Sequence, residues 1–265
     1  MALIAFSPIF LACVSVKAME RLDQALVSRG LCESREKAQR AILAGHARIN
    51  GQRANKASDK VRDGDQIELT EAEKFVSRGG IKLEHALVHF DLEVRGSTCV
   101  DFGASTGGFT DCLLQRGAGK VYAVDVGKGQ LAWKLRQNSN VVVMEQTNAR
   151  ELTAAKFPQP FARADLAVID CSFISLRKIL PAAVAIVRPG GKIVALVKPQ
   201  FEAGKAEADR GSGVITDPAI HARVLAELET FVAAQPGWKW RGQTESPLLG
   251  PAGNKEFLVL IEIEG

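Results

Sequence analysis

Cysteine, histidine and tyrosine are scarce in this chain of 265 residues, which holds five, four and one of them. Cys13, Cys32, Cys99, Cys112 and Cys171 are scattered and odd in number, and no two are spaced CxxC. That pattern encodes neither a disulfide framework nor a zinc site, so the thiols read as reduced and cytosolic. His46, His85, His89 and His221 show no metal-ligand spacing and stand beside no cysteine in a nucleophile motif. No metal is expected. Beyond residue 18 no apolar run approaches the roughly 20 residues that span a bilayer, so no membrane partner is expected either. A GxGxxG fingerprint and an internal repeat are also missing. Charge of one sign does not dominate: 34 Lys and Arg face 30 Asp and Glu, a net +4 that permits a nucleic-acid partner without requiring one.

What is present is 46% hydrophobic residues, ample for real cores, in a length suited to one large domain and one small. Residues 1–18 form an apolar run without the preceding positive charge of a signal peptide, and ordinary charged sequence begins at Met19-Glu20-Arg21. We read 1–18 as an N-terminal extension, with Met19 as the true first residue. Residues 19–72 read as a small α+β unit. Leu22, Ala25 and Leu26 recur at helical spacing before Gly30, and Ser34 caps a second helix that Gly45 closes. Ala47-Arg48-Ile49 then enters an Asn50-Gly51 turn, and Gly64-Asp65 precedes a last strand through Leu69. Residues 73–80 read as a linker and 81–265 as an α/β domain. Its strand candidates at 98–102, 120–126, 140–145, 166–170, 192–198 and 256–263 alternate with helical stretches, the mark of a doubly wound, Rossmann-like sheet.

The first of these strands runs through Asp101-Phe102-Gly103-Ala104-Ser105-Thr106-Gly107-Gly108 into a helix. Glycines let backbone approach a ligand at the carboxyl end of such a strand. The acid before the first glycine suits a cationic amino-acid group better than a pyrophosphate, which prefers bare amides. Asp125 ends the next strand, where this fold places an acid for ribose hydroxyls, and Asn148 follows the third, near where a base would lie. The expected cofactor contacts are therefore Asp101, Gly103, Ser105, Thr106, Gly107, Gly108, Asp125 and Asn148.

Two later strands end in charge, at Asp170-Cys171-Ser172-Phe173 and at Val197-Lys198-Pro199-Gln200-Phe201. A charge closing a buried strand costs several kcal/mol unless it is paired. Together with Ser77-Arg78-Gly79-Gly80-Ile81-Lys82 and Asn254-Lys255-Glu256, these segments resemble the Lys-Asp-Lys-Glu tetrad of FtsJ-type ribose methyltransferases, here Lys82, Asp170, Lys198 and Glu256. From Met19 onward the chain resembles the TlyA family, known as haemolysins and as cytidine 2′-O-methyltransferases of ribosomal RNA. Asp101 to Thr110 and Gly129-Gln130-Leu131-Ala132-Trp133 match that family's segments closely. The resemblance implies S-adenosylmethionine as methyl donor, a ribose hydroxyl as acceptor and a cytoplasmic enzyme acting on ribosomal RNA or subunits. A ribose hydroxyl needs a base to share its proton, and a lysine serves when burial and a neighbouring cation favour its neutral form. Lys198 takes that role, with Asp170 orienting it and Glu256 holding Lys82 or the ribose.

The N-terminal unit resembles the small RNA-binding domain first described in ribosomal small-subunit protein four. Between residues 29 and 56 the cations Arg29, Arg35, Lys37, Arg40, Arg48, Arg53 and Lys56 face only Glu33 and Glu36, a local +5. With Arg21 they form the candidate RNA surface. The unit has no aromatic residue, so shape and backbone should dominate recognition. Gly204 to Gly213, rich in glycine and charge, reads as a lid that orders on RNA. Two other readings stay open: an RNA-binding protein without methyl transfer, and a methyltransferase acting on a base. Against the latter, the fourth strand lacks the Asn/Asp-Pro-Pro-aromatic motif of amino-group methyltransferases.

Overall fold

Apolar side chains gather into separate clusters on either side of residue 73, and the chain divides there. The computed structural model describes residues 19–70, 74–204, 207 and 213–265, in one compact unit ending at Glu73 and another beginning at Lys74. Residues 1–18 and most of the segment expected to form a lid lie outside the described residues.

In the first unit, β1 (Glu20–Arg21) leads into α1 (Leu22–Ser28), followed by α2 (Arg35–Leu43), β2 (Ala47–Ile49), β3 (Gln52–Arg53), β4 (Lys60–Val61) and β5 (Ile67–Leu69). Leu22, Ala25 and Leu26 of α1 pack on Ala38 and Ile42 of α2, and Ala47, Val61 and Ile67 close the cluster from the strands. The Ser34 hydroxyl accepts the Lys37 amide at 3.2 Å, the N-cap that the sequence announces. Asn50 and Gly51 both take positive φ, 50° and 77°, so a two-residue turn of the twist-matched kind joins β2 to β3. β1, β3 and β4 were not expected. Each is two residues long, too short for alternation to be visible.

The second unit opens earlier than expected. Residues 74–80 are not a linker but packed chain: Phe75 is buried, and the Val76 amide donates to Asp111 Oδ2 at 2.8 Å. Helix α3 (Gly79–His89) starts two residues before Ile81. Then follow β6 (Thr98–Phe102), α4 (Gly108–Gln115), β7 (Lys120–Val124), α5 (Trp133–Arg136), β8 (Val141–Met144), β9 (Ala164–Ile169), α6 (Leu180–Ile186), β10 (Val187–Val197), α7 (Pro199–Glu202), α8 (Pro218–Ala233), β11 (Trp238–Glu245) and β12 (Phe257–Ile263). The strands form one seven-stranded sheet in the order β11-β12-β10-β9-β6-β7-β8. All neighbours are parallel except β12, which runs antiparallel to both β10 and β11.

Strand side chains alternate between two covered faces. Val168, Val194, Leu196, Leu258 and Leu260 meet α3 and α4, while Ala167, Ile169, Ile193, Ala195, Val259 and Ile261 meet α6 and α8. Most expected strands were one or two residues too long at their polar ends. Asp125, Glu145, Asp170, Lys198 and Glu256 all fall just outside the ladder, where their side chains bond to loops and to one another. β11 was missed, because its polar, half-exposed alternation at the sheet edge and the irregular pairing between Trp240 and Gly242 hide it.

One buried acid organises the first unit. The Asp23 carboxylate is fully covered and accepts from Arg21 Nε, Arg35 Nε and Gln39 Nε2, each at 2.9 Å. Hydrogen bonding, from Arg21 first, holds its carboxyl well below the usual range. A depressed native value stabilises above the unfolded value near 4, and that stability is lost as pH falls toward the native value. Asp23→Asn should therefore destabilise the unit by roughly 3 kcal/mol at pH 7, with the deficit shrinking below pH 4. Hydrogen exchange over residues 22–42 at the two pH values measures it.

Candidate active site

The sheet topology brings the charged strand ends to one edge. β6, β7, β9 and β10 are parallel, so Phe102-Gly103, Asp125, Asp170 and Lys198 leave the sheet on the same side. β12 runs the other way, and its beginning at Glu256 therefore lies at that side too. Helix α3 adds Lys82. Two adjoining cavities open here. One, of about 270 Å³, is lined by Lys82, Asp170, Lys198 and Glu256 together with Gly103, Ser105, Thr106 and Gly108. The other, of about 600 Å³, is lined by Asp125, Asn148, Gly103 and Ser105 along with Gln130, Cys171 and Phe173. Gly103, Ser105, Asp170 and Ser172 border both.

The turn after β6 is shaped for close approach. A Cβ on Gly103, at φ 84°, would stand 2.8 Å from the Asp170 carbonyl oxygen. Gly107 reaches φ 96° to start α4. Such turns exclude side chains so that backbone can face a ligand. Asp125 accepts the Ser105 amide through Oδ2 at 2.8 Å and the Gly127 amide through Oδ1 at 2.6 Å, and each oxygen keeps a second lone pair. Asn148 borders the larger cavity, but its amide caps a short turn: Oδ1 accepts from the Arg150 amide at 3.1 Å and Nδ2 donates to Glu151 at 2.9 Å. Asp101 lines neither cavity. It stands behind the turn, buried, with Oδ2 accepting from Thr110 Oγ1 at 2.7 Å and Oδ1 without a partner. Burial first, then the charges of Asp170 and Asp125, push its carboxyl up to about 7 against the help of Thr110.

The four tetrad residues form two ion pairs. Lys82 Nζ donates to Glu256 Oε2 with both groups almost wholly covered. Lys198 Nζ lies 2.7 Å from Asp170 Oδ1 and 2.8 Å from Ser172 Oγ. Ser172 and Phe173 carry no role in the sequence reading. Phe173 is 90% exposed, at φ 62°, against Phe201. An aromatic side chain three residues after a strand-end acid was the available signal. A non-glycine residue held at positive φ beside a cavity is a mark of functional strain.

Among the candidate RNA contacts the structure makes a division. Arg21 and Arg35 pair with Asp23, which lies outside the window that gave +5, and Lys37 and Arg40 pair with Glu33 and Glu36. Arg29 donates to the carbonyls of Asp65 and Arg62 at 2.6 and 2.9 Å. Arg48, Arg53 and Lys56 form no ion pair among the described residues, and they sit on or just after the β2–β3 hairpin. Among the described residues no helix is long and apolar enough to cross a membrane.

A seven-stranded Rossmann-like sheet, a glycine turn backed by acids and a cavity lined by two lysine–carboxylate pairs define the class: a methyltransferase fold with a candidate site at one rim of the sheet. Comparison with known proteins agrees. Residues 75–262 match the FtsJ-like methyltransferase model and residues 20–67 the S4 domain. The 16S/23S rRNA (cytidine-2′-O)-methyltransferase TlyA of Mycobacterium tuberculosis is 48% identical, over 92% of this chain and 90% of its own. Hemolysin A of Brachyspira hyodysenteriae is 42% identical, over 90% and 98%. A solved structure from Streptococcus thermophilus that carries the hemolysin name is 45% identical, with a TM-score of 0.70 over 93% and 89%. The chain belongs to the FtsJ-like methyltransferase family, among the two-domain relatives that carry the TlyA and hemolysin names.

The raised Asp101 value has a measurable consequence. A group whose native value lies above its unfolded value stabilises fully below the unfolded value and loses that contribution as pH rises through the native one. For a shift from 3.8 to about 7, the loss is on the order of 4 kcal/mol between pH 4 and pH 8. Asp101→Asn, which cannot ionise, should match wild type near pH 4 and exceed it in urea midpoint at pH 8. Urea titrations of both chains at the two pH values check this.

Proposed function

We propose that the chain transfers a methyl group from S-adenosylmethionine to a ribose 2′-hydroxyl of ribosomal RNA, at cytidine, with Lys82, Asp170, Lys198 and Glu256 as the reaction residues. The observation that carries the reading is the placement of both lysine–carboxylate pairs in one cavity beside the glycine turn. The residues present fit the donor. The 600 Å³ cavity has the size of a small-molecule site, Asp125 offers acceptors for ribose hydroxyls, and Gly103 borders both cavities without a side chain, whereas Gly107 lines neither and packs on Leu131 and Leu135. Asp101 lines neither cavity; it stands behind the turn, where its carboxyl braces α4 through Thr110 and acts on a bound cationic group only at a distance. When bound, S-adenosylmethionine supplies a methyl group already activated by its sulfonium charge.

The acceptor hydroxyl needs a base, and Lys198 has the geometry for one. Once the Lys198 ammonium has given one proton to solvent, the neutral amine keeps two N–H groups and one lone pair. With the N–H groups directed at Asp170 and Ser172, the lone pair is left to take the 2′-hydroxyl proton inside the cavity. Asp170 orients the amine and stabilises the cation formed when it takes the proton. Lys82, neutralised by Glu256, offers its remaining N–H groups to the ribose oxygens.

The N-terminal unit supplies affinity. Arg48, Arg53 and Lys56 on the hairpin side are available to phosphates, whereas Arg21 and Arg35 are partly committed to Asp23. An acceptor within ribosomal RNA or the assembled subunits places the activity in the cytoplasm.

Tritium transfer from labelled S-adenosylmethionine to purified ribosomal subunits tests the reading. The wild-type chain should leave label in RNA as an alkali-resistant dinucleotide, and Lys198→Ala should reduce it at least about 100-fold. Label on bases or protein, or equal label with Lys198→Ala, overturns it.

A further inference from the structure

The segment Gly129-Gln130-Leu131-Ala132-Trp133, conspicuous in the sequence, holds none of the reaction residues, yet it touches the cofactor turn at every residue from 105 to 107. Gln130 Oε1 accepts from Ser105 Oγ at 3.3 Å. The Ala132 amide donates to the Thr106 carbonyl at 3.1 Å. Leu131 and Leu135 lie under Gly107 so tightly that a Cβ there would stand 2.8 and 2.2 Å from their methyl carbons. The segment therefore sets the height and tilt of the turn.

A single carboxylate fixes the segment in turn. Glu145, the residue just after β8, accepts the amides of Gly129 at 2.8 Å and Gln130 at 3.1 Å, with Leu131 at 3.5 Å. It also pairs with Arg136, whose Nε donates to the Leu131 carbonyl at 2.9 Å. Both polar ends of the segment's backbone are thus held by one ion pair. The Gly129 amide first, and Arg136 with it, hold the Glu145 carboxyl down at about 2, so the clamp stays charged through the neutral range.

We infer that Glu145, locked by Arg136, is a positioning residue for the donor site: it holds Gly129 to Ala132 against Ser105 to Gly107 and so presets the turn that binds S-adenosylmethionine. The inference rests on the donor assignment above. It assigns Glu145 to donor affinity and leaves the methyl-transfer step to the lysine–carboxylate pairs. Without the carboxylate three amides lose their common acceptor, and the turn must be ordered at the expense of binding free energy.

The test is calorimetric titration of S-adenosylmethionine into wild type, Glu145→Ala, Glu145→Gln and Arg136→Met, with steady-state methylation of ribosomal subunits alongside. Glu145→Ala should weaken donor binding at least about 10-fold and raise the donor KM equally. Its kcat at saturating donor and its KM for RNA should stay within about 2-fold of wild type. Glu145→Gln, which keeps an acceptor oxygen, and Arg136→Met, which keeps the carboxylate, should fall between, and they decide the matter if the alanine variant does not fold. Unchanged donor affinity in these variants, or a fall in kcat at unchanged affinity, overturns the inference. A wild-type chain that binds no S-adenosylmethionine defeats the donor assignment itself, before any variant is compared.

Discussion

Two ammonium groups and two carboxylates meet in one small cavity, and the chemistry proposed for the second unit depends on keeping them there. Removing such ions from water costs several kcal/mol each, and a well-packed apolar set of the same volume commonly matches or exceeds the stability of a buried pair. The Lys82–Glu256 pair, almost wholly covered, is therefore poor evidence of a need for stability. It is good evidence of a chemical need. Lys198 is similarly covered, while its partner Asp170 keeps a quarter of its side-chain surface in contact with solvent, in keeping with the proposed role of this pair at the acceptor hydroxyl.

The sheet explains how four residues spread over 175 positions reach one place. Parallel order alone delivers Asp170 and Lys198 to the same edge, from the neighbouring strands β9 and β10. Glu256 arrives only because β12 reverses direction beside β10. A purely parallel sheet would put it at the far edge. The same edge carries the glycine turn after β6 and the acids after β7 and β8, so the proposed donor site and the proposed base share one rim, most of their residues standing just beyond a strand end. Asp101, buried behind the turn with a spare acceptor, and Glu145, clamping the segment beside it, are the less visible part of that arrangement.

Much of this was legible in the sequence, for identifiable reasons. β7, β9 and β10 end in apolar runs closed by a charge, which marks the strand and its end; β6, Thr98 to Phe102, is closed instead by its glycine turn and was placed to the residue. Asp170 and Lys198 stood out as charges closing buried strands, whereas Lys82 and Glu256 were legible only through the resemblance to FtsJ-type ribose methyltransferases. What was hidden depended on tertiary contact. β11 alternates polar and half-buried residues at an edge. Phe75 and Val76 look like linker until they pack on α4. Seven cations against two acids looked like a uniform basic face until Asp23, from an earlier turn of chain, took Arg35 from among them and Arg21 beside them. Asn148 does border the larger cavity, yet part of its amide is engaged within its own turn, which the sequence did not show. Side-chain commitments of this kind carry no periodicity and no spacing.

The claim that the buried pairs are kept for chemistry is tested most directly by replacing one of them with apolar groups. Glu256→Leu alone strands a buried ammonium and should destabilise the chain by roughly 3 kcal/mol. The double variant Lys82→Met with Glu256→Leu removes both charges, and the account predicts that it recovers the wild-type melting temperature while methyl transfer to ribosomal RNA stays undetectable. A double variant that regains stability and also methylates at a rate near wild type would contradict the account.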